Sequence, residues 1–535
     1  MKSTYRLAAF LLASFSLLLP LLAPASVRAD DEAAALLAKH KAYVGWEFGD
    51  GTFKTLRIAG TVTKPGKDGK PKPVWTYDEI RRGIVNRETS KSLETGIESF
   101  AGFTGSKFWY SDENGFTVPV VSDDLKKTLA QAVVFNEATT TYAATVMRRD
   151  TINGKQVVVL REKMPSGTII ELAVDPQTGA YVRATIDPGE RSTTVEIDAY
   201  DEVVPGKRLI TAWHFTDSKS RHSEKVTPNP VLSDDDFKPP AQRAAWAFAT
   251  PKSFPIEVKE QPNLPHRIFV LARANGQEGR FIFDTGASGV FFTRQFAARA
   301  ALKKHPEAMT VGTLYGDTRG YYVDVDSLAF GDGSVLKNLV GIEDQDMDFG
   351  REHVDGLIGF TLLAGAIVDL DFDAGQMTLY DPKVSAPDES QGFIFAADLS
   401  DGTPSVPVKV NGTTSLHATL DTGDYLHVLL PAQLIGKIQA RRGTFMGLDP
   451  AGWGAAGGAL QFSAATVWRY ETPQCGMLTK VQFGPVSYDA PPFCFTDAME
   501  PGTALIGLDF LKNFNMVFDY PDSKIIMIPR KNVNR

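Results

Sequence analysis

Cysteine is nearly absent, with only Cys475 and Cys494 in 535 residues. A disulfide-dense scaffold is therefore excluded, as is a four-sulfur metal site. Histidine is scarce as well. The eight histidines contain neither H-E-x-x-H nor a paired metal spacing, and no G-x-S-x-G occurs. Zinc-dependent and serine-dependent hydrolysis are set aside on that ground, and no metal or other cofactor is expected. Positive charge is in deficit: 56 Lys and Arg against 64 Asp and Glu give −8, a poor balance for holding nucleic acid. After residue 29 the sequence has no apolar run of about 18 residues, so no transmembrane segment is expected in the mature chain.

What is present begins with a leader. Lys2 and Arg6 precede the apolar run Leu7 to Leu22, and Val27-Arg28-Ala29 places small or aliphatic side chains at a cleavage site. Residues 1–29 therefore read as a secretory signal peptide. The competing membrane anchor is opposed by Ser14, Ser16 and Pro20 within the run and Pro24 after it. No cysteine follows the cleavage site for lipidation, so the expected location is periplasmic or secreted, in a bacterial envelope. Without its leader the chain carries −11. Export to an oxidising compartment bears on Cys475 and Cys494, which flank the strand-like stretch 481–486. A hairpin there would bring their Cα atoms within the roughly 6 Å that a disulfide spans, the preferred reading; two buried thiols are the other.

Residues 30–245 read as a β-rich domain. DEAAALLAKHKAYVGW forms a short amphipathic helix, and strands at 156–160, 168–174 and 193–199 alternate with turns such as Asn153-Gly154 and Asp175 to Gly179. Short strands with regular turns imply a twisted antiparallel sheet. The stretches GTIIELAVDPQTGAYVRATID, VEIDAYDEVVPGKRLITAWHF and NPVLSDDDFKPP resemble the α+β half-barrel of periplasmic lipoprotein carriers of the LolA type. That resemblance implies a concave face holding a lipid or acyl ligand; a filled core without a ligand is the alternative. Residues 217–265 are rich in charge, Pro and Ser. The linker is placed at 246–265.

The second half repeats itself. FVLARANGQEGRFIFDTG (269–286) aligns with VPVKVNGTTSLHATLDTG (406–423), and each has an Asn-Gly hairpin turn before Asp-Thr-Gly. VDGLIGFTLLAGAIVDLDFDAGQMTLYD (354–381) aligns with GTALIGLDFLKNFNMVFDYPDSKIIMIP (502–529) at an offset of 148. Leu357-Ile358-Gly359 then matches Leu505-Ile506-Gly507, and Asp371-Phe372 matches Asp519-Tyr520. Asp284 and Asp421 lie 137 residues apart, so the internal duplication differs by 11 residues in its middle.

This ordered set of motifs resembles the retropepsin and pepsin superfamily of aspartic peptidases. The resemblance implies a bilobal all-β fold, with lobes at 266–390 and 391–535, in a mainly β multidomain chain. It implies catalysis by Asp284 and Asp421, with an activated water as nucleophile, no acyl-enzyme, a polypeptide substrate and no need for dimerisation. Two carboxyls about 3 Å apart cannot both ionise, so they share a proton and serve as acid and base, which is why the tripeptide must occur twice. Gly286 and Gly423 let backbone approach the carboxyls; Thr285 and Thr422 are implied to hydrogen-bond between lobes; Gly359 and Gly507 pass a strand behind each loop.

One departure stands out: the second motif continues Asp424-Tyr425, where the family has small residues. A third carboxylate there would raise the proton affinity of the pair, face solvent, or mark a degraded half-site. The alternative function is accordingly a non-catalytic periplasmic binding protein on the same fold. The N-terminal domain reads as a carrier, a targeting module or a prosegment freed by cutting at 217–265. Flaps are expected at VGTLYGDTRG, with Gly312, Gly316 and Gly320, and at 449–458, where the match to G-x-G-x-x-G lacks a strand-to-helix setting. Tyr315 and Trp453 would line the cleft or simply pack. Asp344, Asp346, Asp348 and Asp355 have calcium-loop spacing, but Phe349 stands where such a loop needs Gly, so a solvated acidic loop is preferred.

Overall fold

A computed structural model describes residues 31–120, 144–438 and 475–530, apart from 67, 84, 106, 165–166, 188–191, 217–218, 247–249, 260–265, 314–315, 332, 348, 350–352, 400–401, 425–426, 436 and 500–501. The leader, Tyr315, Asp348, Tyr425 and the second expected flap with Trp453 lie outside the described residues. The fold is mainly β and divides into two compact units. Of the described residues, 31–110 and 144–240 make one unit, and 111–120 with 241–530 make the other.

The first unit is built on one antiparallel sheet made of two meanders. Leu56–Pro65 pairs on one side with Pro71–Arg82, which is followed outward by Val85–Ser92, Glu98–Phe103 and Phe108–Ser111. On its other side lies Arg221–Pro228, then Lys207–Phe215, Thr193–Val204, Tyr181–Asp187, Ile169–Val174, Lys155–Lys163 and Ala144–Ile152. Asn153 and Gly154 adopt φ of 51° and 78°, the left-handed pair that closes the last hairpin. The helix Asp31–Val44 has acids in its first turn and Lys41 in its last, matching its dipole. It buries Ala33 and Leu36 into a cluster with Val158, Leu160, Ile170, Leu172 and Trp213.

The other meander carries a buried polar row. Arg81 donates to both Glu79 oxygens at 2.6 and 2.7 Å, Ser90 donates to Glu88 at 2.8 Å, and Tyr77 donates to Glu224 at 2.6 Å.

The second unit contains three sheets, of nine, six and eight strands. In its first half, Gln277–Phe283 runs parallel to Gly356–Ile358, which runs antiparallel to Val290–Thr293. In its second half, Thr414–Asp421 runs parallel to Thr503–Gly507, which runs antiparallel to Val428–Pro431. Each half opens with an Asn-Gly turn of left-handed residues, Asn275 and Asn411. Each of these Asn side chains accepts from two backbone amides of a neighbouring segment, at 2.9 and 3.2 Å for Asn275 and at 2.8 and 3.2 Å for Asn411.

The six-stranded sheet joins the halves through Ile367–Asp371 and Phe514–Asp519. Its central register sets Val368 opposite Phe518, Asp369 opposite Val517 and Leu370 opposite Met516. Asp369 thus faces the residue 148 positions after itself, and the pairs on either side exchange equivalents. The two halves are related by a local two-fold axis at that pair.

Two boundaries differ from expectation. The stretch read as a linker contains strands Lys252–Pro255 and Glu257–Lys259, paired with Gln376–Tyr380 and Arg267–Ala274. Pro255 is compatible with its position because an edge strand tolerates Pro where no ladder donor is needed. Residues 111–120, expected within the N-terminal domain, instead belong to the unit that includes 241–530.

Candidate active site

Each Asp-Thr-Gly leaves its strand at the unit's centre. The strand Gln277–Phe283 ends on Phe281, Ile282 and Phe283, all buried, so the chain is anchored up to the residue before Asp284. Asp421 follows Ala418 and Leu420 in the same way. The backbones then turn, and the two loops meet.

The threonines form a reciprocal lattice. Thr285 N donates to Thr422 Oγ1 at 3.0 Å, and Thr422 N donates to Thr285 Oγ1 at 2.9 Å. Each hydroxyl donates in turn to the far half's backbone: Thr285 to the Leu420 carbonyl at 2.6 Å and Thr422 to the Phe283 carbonyl at 2.9 Å. Both threonines are fully buried, so every one of these groups would be orphaned if its partner were lost.

The lattice presents the carboxyls to one another. Asp284 and Asp421 are hydrogen-bonded together, and each remains partly exposed as a residue. Gly286 N donates to Asp284 Oδ1 and Gly423 N to Asp421 Oδ1, both at 2.8 Å. The glycines are demanded by space: a Cβ on Gly286 would lie 2.5 Å from the Asp421 carboxyl carbon, and one on Gly423 would be closer still to that of Asp284. Gly359 packs against the first loop, where a Cβ would come within 2.5 Å of the Asp284 carbonyl oxygen. Gly507 lies opposite Asp421 in the parallel ladder, behind the second loop.

Burial pushes the Asp284 carboxyl well above the usual carboxylate range, and the neighbouring Asp421 pushes it further. Asp421 is also raised by burial, but hydrogen bonds from Asp284 and from the Gly423, Asp424 and Gly286 amides oppose the rise. The two carboxyls therefore hold one proton between them, with Asp284 the more strongly raised of the two. Asp424 enters through its amide, which donates to Asp421 at 3.2 Å. Its carbonyl accepts from Leu508 N at 2.6 Å, as Ala287 O accepts from Phe360 N at 2.9 Å in the first half. The backbone at Asp424 thus has the same role as at the expected small residue.

Sequence reading missed two neighbours. Tyr520 is fully buried; that burial first, and then the neighbouring Asp421 and Asp284, raise its phenol well above its ordinary value. Its sequence signal was the match to Phe372, which concealed the hydroxyl. Behind the second loop, Asp509 takes a hydrogen bond from the His266 ring and lies 3.1 Å from the Lys512 ammonium, whereas the first half has Thr361 at that place. The hydrogen bond from His266 and the charge of Lys512 hold Asp509 below the usual range.

The remaining sequence candidates sort plainly. Gly312, Gly316 and Gly320 all lie on the hairpin of Lys303–Thr313 with Gly316–Phe330. Cys494 is disulfide-bonded, and its ladder partner is Cys475. Asp344 accepts from Thr318 at 2.8 Å and Asp355 pairs with Arg299 at 2.6 Å. Among the described residues no group of acids, histidines or cysteines could hold a metal ion.

A family model described as aspartyl protease matches residues 270–362, which include Asp284 and Gly359. No curated protein matches the chain. Among solved structures, a DUF1329 family protein from Desulfovibrio piger is similar at 10% identity and a TM-score of 0.28, covering 40% of this chain and 98% of that one.

Proposed function

We propose that the protein is an exported aspartic endopeptidase that hydrolyses peptide bonds with a water activated between Asp284 and Asp421. Asp421, ionised, takes a proton from the water as it attacks the scissile carbonyl. Asp284 gives its proton to the carbonyl oxygen to form a gem-diol; Asp421 then passes its proton to the leaving nitrogen as the C–N bond breaks, and a gem-diol hydroxyl returns a proton to Asp284. No covalent acyl intermediate is involved. The observation that carries this reading is the hydrogen-bonded carboxyl pair, held by the Thr285 and Thr422 lattice and confined by two glycines with no room for a Cβ.

The aspartyl-protease match supports the peptidase class for the first half. The equivalent contacts around Asp421 extend that reading to the second. Residues 1–29 suggest export to the periplasm or beyond, and the substrate is a polypeptide. The test is digestion of a denatured peptide pool by the purified chain over about pH 3 to 7, beside Asp284→Asn and Asp421→Asn. Loss of cleavage in both variants is expected; cleavage surviving in either would defeat the shared pair.

A further inference from the structure

Residues 111–120 lie between two stretches of the sheet-bearing unit, yet they belong to the unit that carries the carboxyl pair. Their packing there is that of a core element. Asn114 is 0% exposed and Phe116 is 1% exposed. The Asn114 carboxamide satisfies one residue of strand Val335–Asp344 in full: its Oδ1 accepts from Val340 N at 2.6 Å, and its Nδ2 donates to Val340 O at 3.1 Å. Its main-chain carbonyl accepts from the amides of Arg243 and Ala244 at 2.9 and 3.0 Å. Asp112 holds the turn that makes this possible, accepting from the amides of Asn114 and Phe116 at 3.0 and 2.9 Å.

The segment reaches both halves. Phe116 and Val118 join the main core, and a Cβ on Gly365 would lie 2.7 Å from the Phe116 ring, so the glycine after Leu362-Leu363-Ala364 makes its seat. Beyond it, the Pro119 carbonyl accepts from Ser523 Oγ at 2.6 Å. Ser523 closes the turn between the last two strands of the second half, with φ of 51°. Val340 and Gly365 belong to the first half and Ser523 to the second.

We infer that residues 111–120 are an internal staple of the carboxyl-bearing unit, so that cutting the chain between the units leaves the two fragments bound through this segment. The N-terminal portion is then no removable prosegment: the fragment carrying 30–238 keeps part of the other unit's core. A chain begun near residue 250 lacks the partner of Val340 and the ring that fills the space over Gly365. The inference concerns assembly and stands whether or not the pair is active.

The test places a site for a sequence-specific protease between Lys238 and Pro239, both exposed, in the full chain. After cutting, the fragments are expected to co-elute on size exclusion, and to separate when Asn114→Ala and Phe116→Ala are present. Separation of the unsubstituted fragments, or co-elution of the substituted ones, overturns the staple. Because the double variant risks misfolding, the uncut natural chain is also followed by hydrogen exchange. The amides of Asn114 and Phe116 are expected to exchange together with that of Val340; exchange about 100-fold faster than Val340 would show a segment that opens on its own and would also overturn it.

Discussion

Thr285 and Thr422 each donate a backbone amide to the other's hydroxyl, at 3.0 and 2.9 Å, across the meeting point of the two halves. Neither carboxyl is positioned by its own half alone. Thr285→Ala removes one acceptor and one donor from a buried site, leaving Thr422 N and the Leu420 carbonyl orphaned. Each orphan costs about 1–3 kcal/mol. Thermal unfolding of the second unit should fall by several degrees, and kcat should drop at least about tenfold through the displaced carboxyls. Thr285→Ser, which keeps the hydroxyl, should recover most of both. Full activity in Thr285→Ala would show that the lattice does not position the pair.

Gly286→Ala tests the space around the pair. The new methyl would overlap the Asp421 carboxyl, so the loops must separate or the carboxyl rotate. Activity should fall below about 1% of the parent while the far-ultraviolet spectrum stays unchanged, because displacement of about 1 Å at a reacting group is enough to cost 100-fold. Retention of activity would mean that the carboxyls do not approach as described.

The pair also sets a pH profile. Both carboxyls are raised by burial, Asp284 the more. Activity needs the pair to hold one proton, so it should fall on the acid side as Asp421 takes up a second and on the alkaline side as Asp284 loses the first. Because Asp284 is raised, the alkaline limb should lie above the ordinary carboxylate range. The same sign governs stability: a raised carboxyl favours folding below its unfolded value and loses that contribution as pH climbs through the folded value. Asp284→Asn should therefore flatten the alkaline loss of stability while abolishing turnover. An alkaline stability limb unchanged in that variant would refute the assignment.

A separate titration belongs to the sheet-bearing unit. Glu162 is fully buried, neither of its oxygens has a hydrogen-bond partner among the described residues, and burial lifts its carboxyl to about 7 from 4.5. Its proton is retained on folding, so this unit is most stable below pH 4.5 with respect to Glu162 and loses that advantage as pH rises through about 7. At about 1.4 kcal/mol per unit, the difference approaches about 3 kcal/mol by pH 8. Glu162→Gln, neutral throughout, should remove most of that slope in chemical unfolding followed by tryptophan fluorescence. An unchanged slope would place the pH dependence elsewhere.

The sequence made the centre of the second unit legible because its signals are local and chemically compelled. Asn275-Gly276 and Asn411-Gly412 close hairpins that require left-handed backbone, and Gly286 and Gly423 stand where any side chain would strike a carboxyl. Other features were hidden because their cause lies far along the chain. Asn114 carries no sign that its partner is Val340, 226 residues on, nor Pro119 that its carbonyl accepts from Ser523, 404 residues on. The charge-, Pro- and Ser-rich composition of 217–265 suggested a linker where residues 252–255 in fact make an edge strand, since a strand pairing on one side only can forgo a donor. The row from Tyr77 to Glu88 carries no local sign that its polar side faces inward, which only the fold reveals.

The pairing of Asp369 with Val517 gives the molecule a further property. A carboxyl pair assembled from two separate chains dissolves on dilution, since its population follows the square of the chain concentration. Here the two contributors share one backbone and one continuous sheet, so each carboxyl meets the other at an effective concentration fixed by the fold. The fraction of molecules with the carboxyls paired is then independent of how sparse the protein is.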